Sequence, residues 1–544
     1  MSRGTSRSLF FVLLVIITCG FLGSAAFSQR GGDASYATGA SDNDVRDGLR
    51  QFSEIYSLVE QNYAEPVNPD KAIYNGAIPG MLHVLDPHSN FFDPKSYSAL
   101  REEQSGRYYG VGMQIAPRNN KIIVVAPFAG TPAYKAGLRP GDVIIAVDAK
   151  ATDNMSVSDV ADLLKGPKGT NVHISILRES NDKPLEFNVV RDEIPRNSVD
   201  LKFMIRPGIG YMHISAFNET TEQEVEDALQ GFGDLKGMIL DLRGNPGGLL
   251  NEGVGVADKF LKKGQTIVSH HGRSSPEKSY KAAHGNGGKD YPLVVLVNRG
   301  TASAAEIVSG AIQDHDRGLI VGEVTFGKGL VQTVYPLSEN TGLALTTAKY
   351  YTPSGRLIQR DYTGVSLYDY YYSREQEDNP SNNANTNAPA KEVKLTDSGR
   401  TMYGGGGITP DVKVKPFKTT KFEDSLLVKY AFFNFAKHYL TNRHIDKNFE
   451  ITDAVMQDFR KFLDSQKIPY TEADLNEGSD FIKSSIKTEL FISEFGQEEG
   501  LRVRAENDPQ VIAALDQLPK AKELADNARK ILAQRAAAQQ QSNR

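Results

Sequence analysis

The fold of this chain is decided by the stretch PLVVLVNRGTASAAEI, residues 292–307, together with TFGKGLVQ, residues 325–332. The apolar run that ends at Val297 is typical of a buried strand, and the small residues that follow Ser303 favour a helix. We therefore expect a strand, a turn and a helix, with Ser303 at the start of the helix. Lys328 lies between two glycines, 25 residues after the serine. The chemistry that this pair suggests is a serine nucleophile with a lysine base.

Histidine is the usual base for a serine nucleophile, so the histidines are considered first. His315 is the nearest in sequence, but twelve residues of helix would separate it from Ser303 by ~18 Å. That distance excludes His315 as a base on the same helix. His213 and His270 could approach through folding, but neither lies in a context that marks it as a base. We predict structural or solvent-facing roles for both.

A lysine can act as the base if it is neutral near pH 7, and burial lowers the pKa of an amine. Gly327 and Gly329 allow close backbone approach, which would help to enclose Lys328. Gln332 follows four residues later, on the same face of a strand, where its amide could hold the amine in line with Ser303. The alternative is an exposed turn lysine, which the residues alone would favour.

Acyl transfer also needs donors for the oxyanion that develops in the transition state. The N–H of Ala304, at the start of a helix, is one candidate. The second lies in DLRGNPGG, residues 241–248, where a buried strand breaks into a glycine-rich turn with free N–H groups. Gly247 and Gly248 are both candidates there. Phosphate binding is the alternative for this loop, but it lacks the Gly-Lys-Ser/Thr ending of a P-loop.

Residues 1–28 are predicted to be a signal peptide or a membrane anchor. Arg3 and Arg7 precede the apolar run Leu9–Cys19, and the small residues Gly23–Ala26 suit cleavage. An uncleaved anchor is the alternative, because the apolar stretch is barely long enough to span a bilayer at ~20 residues. We expect an extracytoplasmic protein, periplasmic or secreted, with membrane association through this segment left open.

Composition narrows the function classes. The one cysteine, Cys19, falls inside the predicted signal, so the mature chain would have no disulfide, thiol catalysis or cysteine metal site. The formal net charge of −5 gives no basic field, which argues against nucleic acid as a partner.

Residues 29–105 form a predicted N-terminal helical region. Apolar residues recur at three- and four-residue steps from Val45 to Tyr63, as in an amphipathic helix, and a second helix is predicted over 70–85. The segment Asp86–Ser89 then turns the chain, and we interpret His88 as a turn residue.

Residues 106–192 are rich in short strands, with one helix predicted over 156–164 and a tight turn over 136–142. This order resembles a PDZ domain, in which a peptide adds as a strand to the edge of a sheet. The loop that would hold the peptide's terminal carboxylate consists of Tyr109, Gly110, Val111 and Gly112. A small β-barrel without a ligand is the alternative.

Residues 193–416 show a longer alternation of strands and helices, which suggests an α/β core with helices packed on a sheet. The polar, glycine-rich span 273–290 is predicted to be a surface loop, and a disordered insertion is predicted at about 375–392. Residues 417–544 are predicted to form a C-terminal helical region, for which assembly or partner binding is the expected role.

Taken together, these motifs resemble the carboxyl-terminal processing (tail-specific) proteases, serine peptidases of the Ser–Lys type. The resemblance implies a multidomain α/β protein with a crotonase/ClpP-like protease core. It makes Ser303 the nucleophile, Lys328 the base and Gln332 the residue that orients the lysine. It also makes Ala304 and Gly247, or its neighbour Gly248, the oxyanion donors, and it implies no metal or other cofactor.

Ala305 departs from the pattern, because many members have a second serine there, but that serine is not the nucleophile. The matching segments are 85–89, the PDZ-like region, 241–248, 301–307, 325–332, 352–359 and 404–411.

The resemblance implies an exported endopeptidase that recognises apolar C-terminal tails of proteins through its PDZ domain. A catalytically silent PDZ-type peptide-binding scaffold or holdase is the alternative. A homo-oligomer and an adaptor protein both stay open as further partners.

Overall fold

The structure is a computed structural model that describes residues 42–118, 120–178, 181, 183–372 and 392–542. The predicted signal or anchor lies outside these residues, and so does the predicted insertion except for its last residue. The described residues divide into two compact units, one of 42–99, 331–347 and 362–372, and the other of all the rest. Within the described part of the chain, no helix is long and apolar enough to cross a bilayer.

The smaller unit begins with the amphipathic helix that the sequence predicts. The second predicted helix is instead two short helices joined by a π-helical turn, because Pro79 lacks the N–H that an uninterrupted helix would use. The elements are α1 (Asp42–Asn62), α2 (Pro69–Ala72), the π-helical turn Ile73–Ala77, α3 (Ile78–His83) and β1 (Asn90–Phe92).

His88 is a buried turn residue of this unit, as predicted. Its backbone N–H donates to Asp86 at 2.7 Å, and its ring nitrogens lie 3.0 Å from the Tyr370 hydroxyl and 3.2 Å from that of Tyr371. These contacts fix the turn, so the histidine needs no chemical role to explain it.

The larger unit starts with the PDZ fold that the sequence predicts. Its main sheet has the order β3-β4-β5-β7-β8, and among the described strands β3 pairs with β4 alone. The other edge of β3 therefore has no partner strand among the described residues. The elements are β2 (Arg107–Gly110), β3 (Met113–Arg118), β4 (Lys121–Pro127), α5 (Pro132–Ala136), β5 (Val143–Val147), β6 (Lys150–Ala151), α6 (Val157–Leu164), β7 (Asn171–Leu177), β8 (Leu185–Val190) and β9 (Asp192–Pro195), and they follow helix α4 (Pro94–Ser105), which begins in the smaller unit and ends in the larger one.

A second sheet forms the α/β core, in the order β10-β11-β12-β15-β16-β21, with every pair parallel except β10 with β11. Strands β12 and β15 are buried at every residue, as expected for a parallel sheet covered on both faces. The elements are β10 (Val199–Arg206), β11 (Ile209–Ile214), α7 (Thr221–Phe232), β12 (Gly237–Asp241), α8 (Leu250–Asp258), β13 (Thr266–His271), β14 (Lys278–Lys281), β15 (Leu293–Val297), α9 (Ala304–Asp314), β16 (Leu319–Gly322) and β21 (Val412–Lys413).

The register of these strands positions the site. Asp241 at the end of β12 is opposite Leu296 near the end of β15. Because the two strands are parallel, the loop after Asp241 and the turn after Val297 leave the same edge of the sheet. The two motifs that the sequence singles out therefore meet in space.

The predicted surface loop over 273–290 is wrong in one part. Strand β14 lies inside it and pairs antiparallel with β13. Its residues Lys-Ser-Tyr-Lys are polar and mostly exposed, so the sequence lacks the apolar alternation that signals a strand. The remaining strands are β17 (Leu330–Pro336), β18 (Gly342–Tyr351), β19 (Val393–Leu395) and β20 (Thr401–Tyr403), and the short helix α10 is Leu367–Tyr372.

The C-terminal region is helical, as predicted, but its helices belong to two cores. Helices α11–α15 pack mainly on one another around Phe435, Phe459 and Ile486. Helix α17 instead packs its apolar residues, among them Val511 and Leu518, against the protease-core sheet. The helices are α11 (Lys421–Val428), α12 (Ala431–Tyr439), α13 (Asp453–Ser465), α14 (Glu472–Glu477), α15 (Ser479–Phe495), α16 (Gln497–Glu506) and α17 (Pro509–Ser542).

The packing of α17 predicts a stability difference between two leucine-sized residues of the same helix. Leu518 is 7% exposed against the sheet, whereas Ile512 is 44% exposed. We expect Leu518→Ala to lower the free energy of unfolding by about 2–4 kcal/mol, because it leaves a cavity in the core. Ile512→Ala should cost less than about 1 kcal/mol. Urea unfolding followed by circular dichroism measures both, and equal losses would contradict this packing.

Candidate active site

Ser303 occupies a strained turn at the start of α9. Its backbone angles are φ 54° and ψ −116°, and its side chain is buried. A non-glycine residue in such a conformation costs ~1–3 kcal/mol and persists only where its surroundings enforce it. A sharp turn between a strand and a helix is also how a nucleophilic serine is presented in other hydrolase folds.

The surroundings that enforce the turn centre on the carboxylate of Glu306, which is fully buried. One oxygen, Oε2, accepts the backbone N–H of Ser303 at 2.9 Å and that of Lys328 at 2.9 Å. The other, Oε1, accepts the N–H of Gly327 at 2.8 Å and the hydroxyl of Thr325. Burial raises the pKa of this carboxyl, while the four hydrogen bonds oppose that rise. One side chain thus ties the serine turn to the lysine loop.

Tyr350 holds the same two residues from another direction. Its hydroxyl lies 3.1 Å from the carbonyl oxygen of Ser303 and 2.5 Å from that of Lys328. Burial raises the pKa of this phenol well above its ordinary value, so it stays a protonated donor. Lys328 itself is 4% exposed, which overturns the alternative of an exposed turn lysine.

Residues of two further motifs, 352–359 and 404–411, form hydrogen bonds with the loop that carries Lys328. Gln359 accepts the N–H of Gly329 at 2.8 Å, and Ile408 exchanges hydrogen bonds with Thr325 at 3.1 and 2.6 Å. At the far end of α9, Asp314 pairs with the buried Arg356. The segments 352–359 and 404–411 therefore act by packing around Ser303 and Lys328 from the side of the loop.

His315 lies at the other end of α9, as helix geometry predicts. Its ring nitrogens lie 2.7 Å from Asp397 and 2.7 Å from the carbonyl of Thr266. His270 is buried, and burial lowers its pKa. The contacts of His315 are those of a structural residue, and Nε2 of His270 lies 3.4 Å from the Tyr280 hydroxyl.

The candidate oxyanion loop, defined as residues 242–248, is pinned to the serine turn. The Thr301 hydroxyl donates to the carbonyl of Leu242 at 2.7 Å, and the N–H of Ala302 donates to that of Asn245 at 2.9 Å. A Cβ on Gly247 would lie 2.6 Å from the Cβ of Ser303, so only glycine fits. This loop passes directly over the start of α9.

The two glycines that the sequence could not separate differ in their hydrogen bonding. The N–H of Gly247 donates to the side-chain oxygen of Asn245 at 2.8 Å. Gly248 forms a parallel bridge with Phe217. In this bridge the carbonyl of Gly247 accepts the N–H of Phe217 at 2.9 Å, and the N–H of Leu249 donates to the carbonyl of Phe217 at 2.8 Å. The N–H of Gly248 therefore points away from Phe217, and it is the better placed of the two for an external acceptor.

Charged residues lie beneath this loop. Asp241 binds the guanidinium of Arg243, with 2.6 Å between Oδ2 and Nη2, and accepts the hydroxyl of Tyr211 at 2.7 Å. Burial would raise the pKa of Asp241, but Arg243 more than offsets it and the pKa is lowered. Burial likewise opposes the charge on His213, yet Asp200 and Asp241 raise its pKa to about 9. His213 is thus a charged structural residue beside the carbonyl of Arg243.

Gln332 lies in strand β17, in the smaller unit. It is buried, and its Nε2 donates to the Thr346 hydroxyl at 3.2 Å. Its Oε1 is also buried, and no donor among the described residues lies within hydrogen-bonding distance of it. An acceptor that is buried without a donor is costly, so it points to a function.

The four residues of the predicted carboxylate loop lie at the entrance to β3. Tyr109 and Gly110 end strand β2, whereas Val111 and Gly112 form the turn into β3. Gly112 has φ 78°, and its carbonyl accepts the N–H of Phe128 at 3.0 Å. Ile115 on β3 and Val157 on α6 are partly buried apolar residues that pack against the core of this domain.

Sequence reasoning missed Glu306, Thr325 and Tyr350 as residues of this site. A signal existed for Glu306 alone: it is the one charged residue in a run of small and apolar residues, three positions after the serine at the helix start. That spacing is typical of a carboxylate that caps a helix. Tyr350 lies on a strand among other tyrosines, so nothing local distinguishes it.

Comparison with known proteins matches four family models to this chain. The model described as peptidase family S41 matches residues 208–366, and a PDZ domain model matches 123–178. A model described as the C-terminal helical domain of a probable PDZ-protease matches 422–474, and the N-terminal domain of the activating protease CtpB matches 20–96. The class is therefore a serine-type peptidase that carries a PDZ domain.

Individual proteins that are similar over more than half of this chain identify the family. The carboxy-terminal-processing protease of Bartonella bacilliformis is 42% identical over 318 residues, which cover 57% of this chain and 72% of the relative. The carboxyl-terminal-processing protease of Synechocystis is 41% identical, covering 56% and 72% of the two chains. CtpA of Bacillus subtilis is 34% identical, covering 65% and 75%. This chain belongs to the carboxy-terminal processing protease family, and the predicted multidomain fold is confirmed.

The buried carboxylate predicts a sharp effect of removing its charge. In Glu306→Gln, one oxygen becomes an amide NH₂ that faces two N–H or O–H donors, so those donors lose their acceptor. We expect the free energy of unfolding to fall by about 1–3 kcal/mol. Peptide-bond cleavage should fall at least about tenfold, because the serine turn and the lysine loop are no longer fixed to each other.

The control is Glu323→Gln, which removes a carboxylate that pairs with Arg299 away from this cluster. Urea unfolding and cleavage of an unfolded protein substrate are measured for both variants. Equal activity of the two variants would contradict the role of Glu306.

Proposed function

We propose that this protein is an exported serine endopeptidase that engages the C-terminal tail of a protein substrate and cleaves it with Ser303 and Lys328. The observation that carries the proposal is the joint anchoring of these two residues by Glu306 and Tyr350. A serine in a strained turn and a lysine buried beside it have little structural value unless they react. Export is supported by the charged, apolar and small-residue order of the first 28 residues.

In the reaction, the Ser303 hydroxyl attacks the carbonyl carbon of the scissile bond and its proton passes to the Lys328 amine. Lys328 must hold a neutral amine to accept it, as a buried lysine can. The resulting oxyanion accepts the N–H of Ala304 and that of Gly248, or of Gly247 once its bond to Asn245 is released. Lys328 then protonates the leaving amine. A water molecule releases the acyl group from Ser303 by the reverse transfers.

Gln332 is proposed to orient the lysine. Its buried Oε1 has no donor among the described residues, and an ammonium or amine is a donor that suits it.

The PDZ groove is proposed to select the substrate. A tail with a free carboxylate would place it at the N–H groups of the turn through Val111 and Gly112, and would pair with the open edge of β3. The apolar lining at Ile115 and Val157 favours an apolar tail. Membrane association through residues 1–28, and a homo-oligomer or an adaptor, stay open as additional features.

The dyad predicts the activity of three variants against an unfolded protein with an apolar C-terminus. Ser303→Ala and Lys328→Ala should each lower kcat by at least about 10³-fold, since each removes a reacting group. Lys328→Arg should be equally inactive, because arginine keeps the positive charge but cannot give up its proton.

Lys349→Ala, at an exposed lysine of the same unit, is the control and should keep full activity. Substantial cleavage by Lys328→Arg would show that only a charge is needed and would reject the base. Tail binding by the wild type without any turnover would instead favour the silent peptide-binding scaffold.

The groove predicts discrimination between two peptides. The full-length Ser303→Ala variant should bind a fluorescent peptide with an apolar C-terminus and a free carboxylate. The same peptide with a C-terminal amide should bind at least about tenfold more weakly, because charge-assisted hydrogen bonds to the turn are lost. Fluorescence anisotropy measures both affinities.

Val157→Lys in the groove should weaken binding of the free-acid peptide, whereas Val190→Lys, at an exposed position on β8, should not. Equal affinity for the acid and the amide would reject carboxylate recognition at this turn.

A further inference from the structure

Arg243 is the second residue of the candidate oxyanion loop, and its guanidinium joins the neighbouring Asp241 to a distant part of the chain. Towards the sheet it binds Asp241, the last residue of β12, with 2.6 Å between Nη2 and Oδ2. In the other direction its Nη1 lies 2.8 Å from Oδ2 of Asp508 and 2.8 Å from Oε1 of Gln510. These last two residues are more than 260 positions away, at the start of α17.

The start of α17 is itself rigidly held. Oδ1 of Asp508 accepts the N–H of Gln510 at 2.8 Å, as an N-cap does, which leaves Oδ2 for the arginine. Nε2 of Gln510 donates to the carbonyl of Val414 at 3.1 Å, which leaves Oε1 for the arginine. Each side chain therefore has one end fixed to the backbone and the other end on Arg243.

The helix behind them does not move freely, because its apolar residues, such as Val511, are buried against the core sheet. The arginine is in turn covalently part of the loop, and the carbonyl of Arg243 lies 3.2 Å from Nε2 of His213. Two residues later, the Asn245 amide donates to the carbonyl of Ile214 at 2.8 Å. The loop is thus supported at its arginine side chain, its arginine carbonyl and its asparagine.

We propose that the amino end of α17 is a latch that fixes the candidate oxyanion loop through Arg243, so that Asp508 and Gln510 are positioning residues for peptide-bond cleavage. This inference rests on the proposed function, because it assigns the loop an oxyanion donor. It gives the C-terminal region a part in catalysis, in addition to the assembly or partner-binding role expected from the sequence.

A purely structural ion pair would have a different signature from a latch. When Asp508 and Gln510 are replaced, Arg243 still pairs with Asp241, so the guanidinium charge is not left buried without a partner. The free energy of unfolding should therefore fall only slightly. A displaced oxyanion donor acts on the transition state, so it lowers kcat and leaves KM nearly unchanged.

The test uses the full chain with Asp508→Ser and Gln510→Leu combined. Serine is also a good N-cap, so the helix start is kept while the oxygen that reaches Arg243 is lost. We expect kcat to fall about tenfold, as for a small misplacement of a catalytic group, with KM within about twofold of the wild type. Gln510→Glu, which keeps an acceptor towards the arginine but gives up the bond to Val414, should retain more of the wild-type kcat than the double variant.

The matched control is Asp526→Ser, which removes a carboxylate on the same helix that pairs with Lys522 and Arg529 instead. Hydrogen exchange of the amides of residues 244–249 gives a readout that does not need turnover. It should be faster in the double variant and unchanged in the control.

Unchanged kcat and unchanged exchange in the double variant would overturn the latch while leaving the proposed function intact. Equal losses in the double variant and in Asp526→Ser would overturn it as well, because they would reflect general destabilisation. A wild type that cleaves no substrate would reject the proposed function and, with it, a positioning role in catalysis.

Discussion

The structure of the site depends on one buried interaction, the carboxylate of Glu306 with four donors around it. A charged group in the protein interior is tolerated only when its hydrogen bonds replace those lost with water. Here the donors come from the serine turn and from the loop that carries Lys328. The cost of burying the charge is thus offset only when both segments are in place. The same contacts maintain the strained backbone of Ser303, because the turn cannot relax without breaking one of them.

The parallel sheet brings these segments within reach of Glu306. Strands β12 and β15 end at the same edge, so the candidate oxyanion loop and the serine turn must lie side by side. Residues outside these two segments complete the packing around Ser303 and Lys328. Gln359 and Ile408 fix the lysine loop, and Tyr350 spans the carbonyls of Ser303 and Lys328. Their motifs are recognisable in the sequence, but their role is to shape the pocket.

The helices of the C-terminal region belong to two different hydrophobic cores. Helices α11–α15 build a core of their own, whereas α17 covers one face of the protease sheet. A sheet of parallel strands must be covered on both faces, and α17 provides that cover for residues such as Ile239 and Val294. A domain boundary drawn from helical composition at residue 417 therefore separates a helix from the sheet that it protects. The contact of Arg243 with Asp508 and Gln510 shows how closely that helix approaches the loop beside Ser303.

Local sequence patterns were enough to predict the order of domains and the strand–turn–helix around Ser303. They were also enough to exclude His315 as the base, because helix geometry places it too far from the serine. Each of these follows from local periodicity or helix geometry, which act over a few residues. The sequence also singled out Ser303 and Lys328 through motifs near each of them. The folded molecule alone shows that Lys328 is buried, that Gly247 and Gly248 differ in their hydrogen bonding, and that Glu306, Tyr350 and Asp508 contact these motifs. Apart from the local contact of Glu306 with Ser303, those contacts join residues from 19 to 265 positions apart. A hydrogen bond across such a separation depends on how the sheet and helices pack, and no local pattern encodes it.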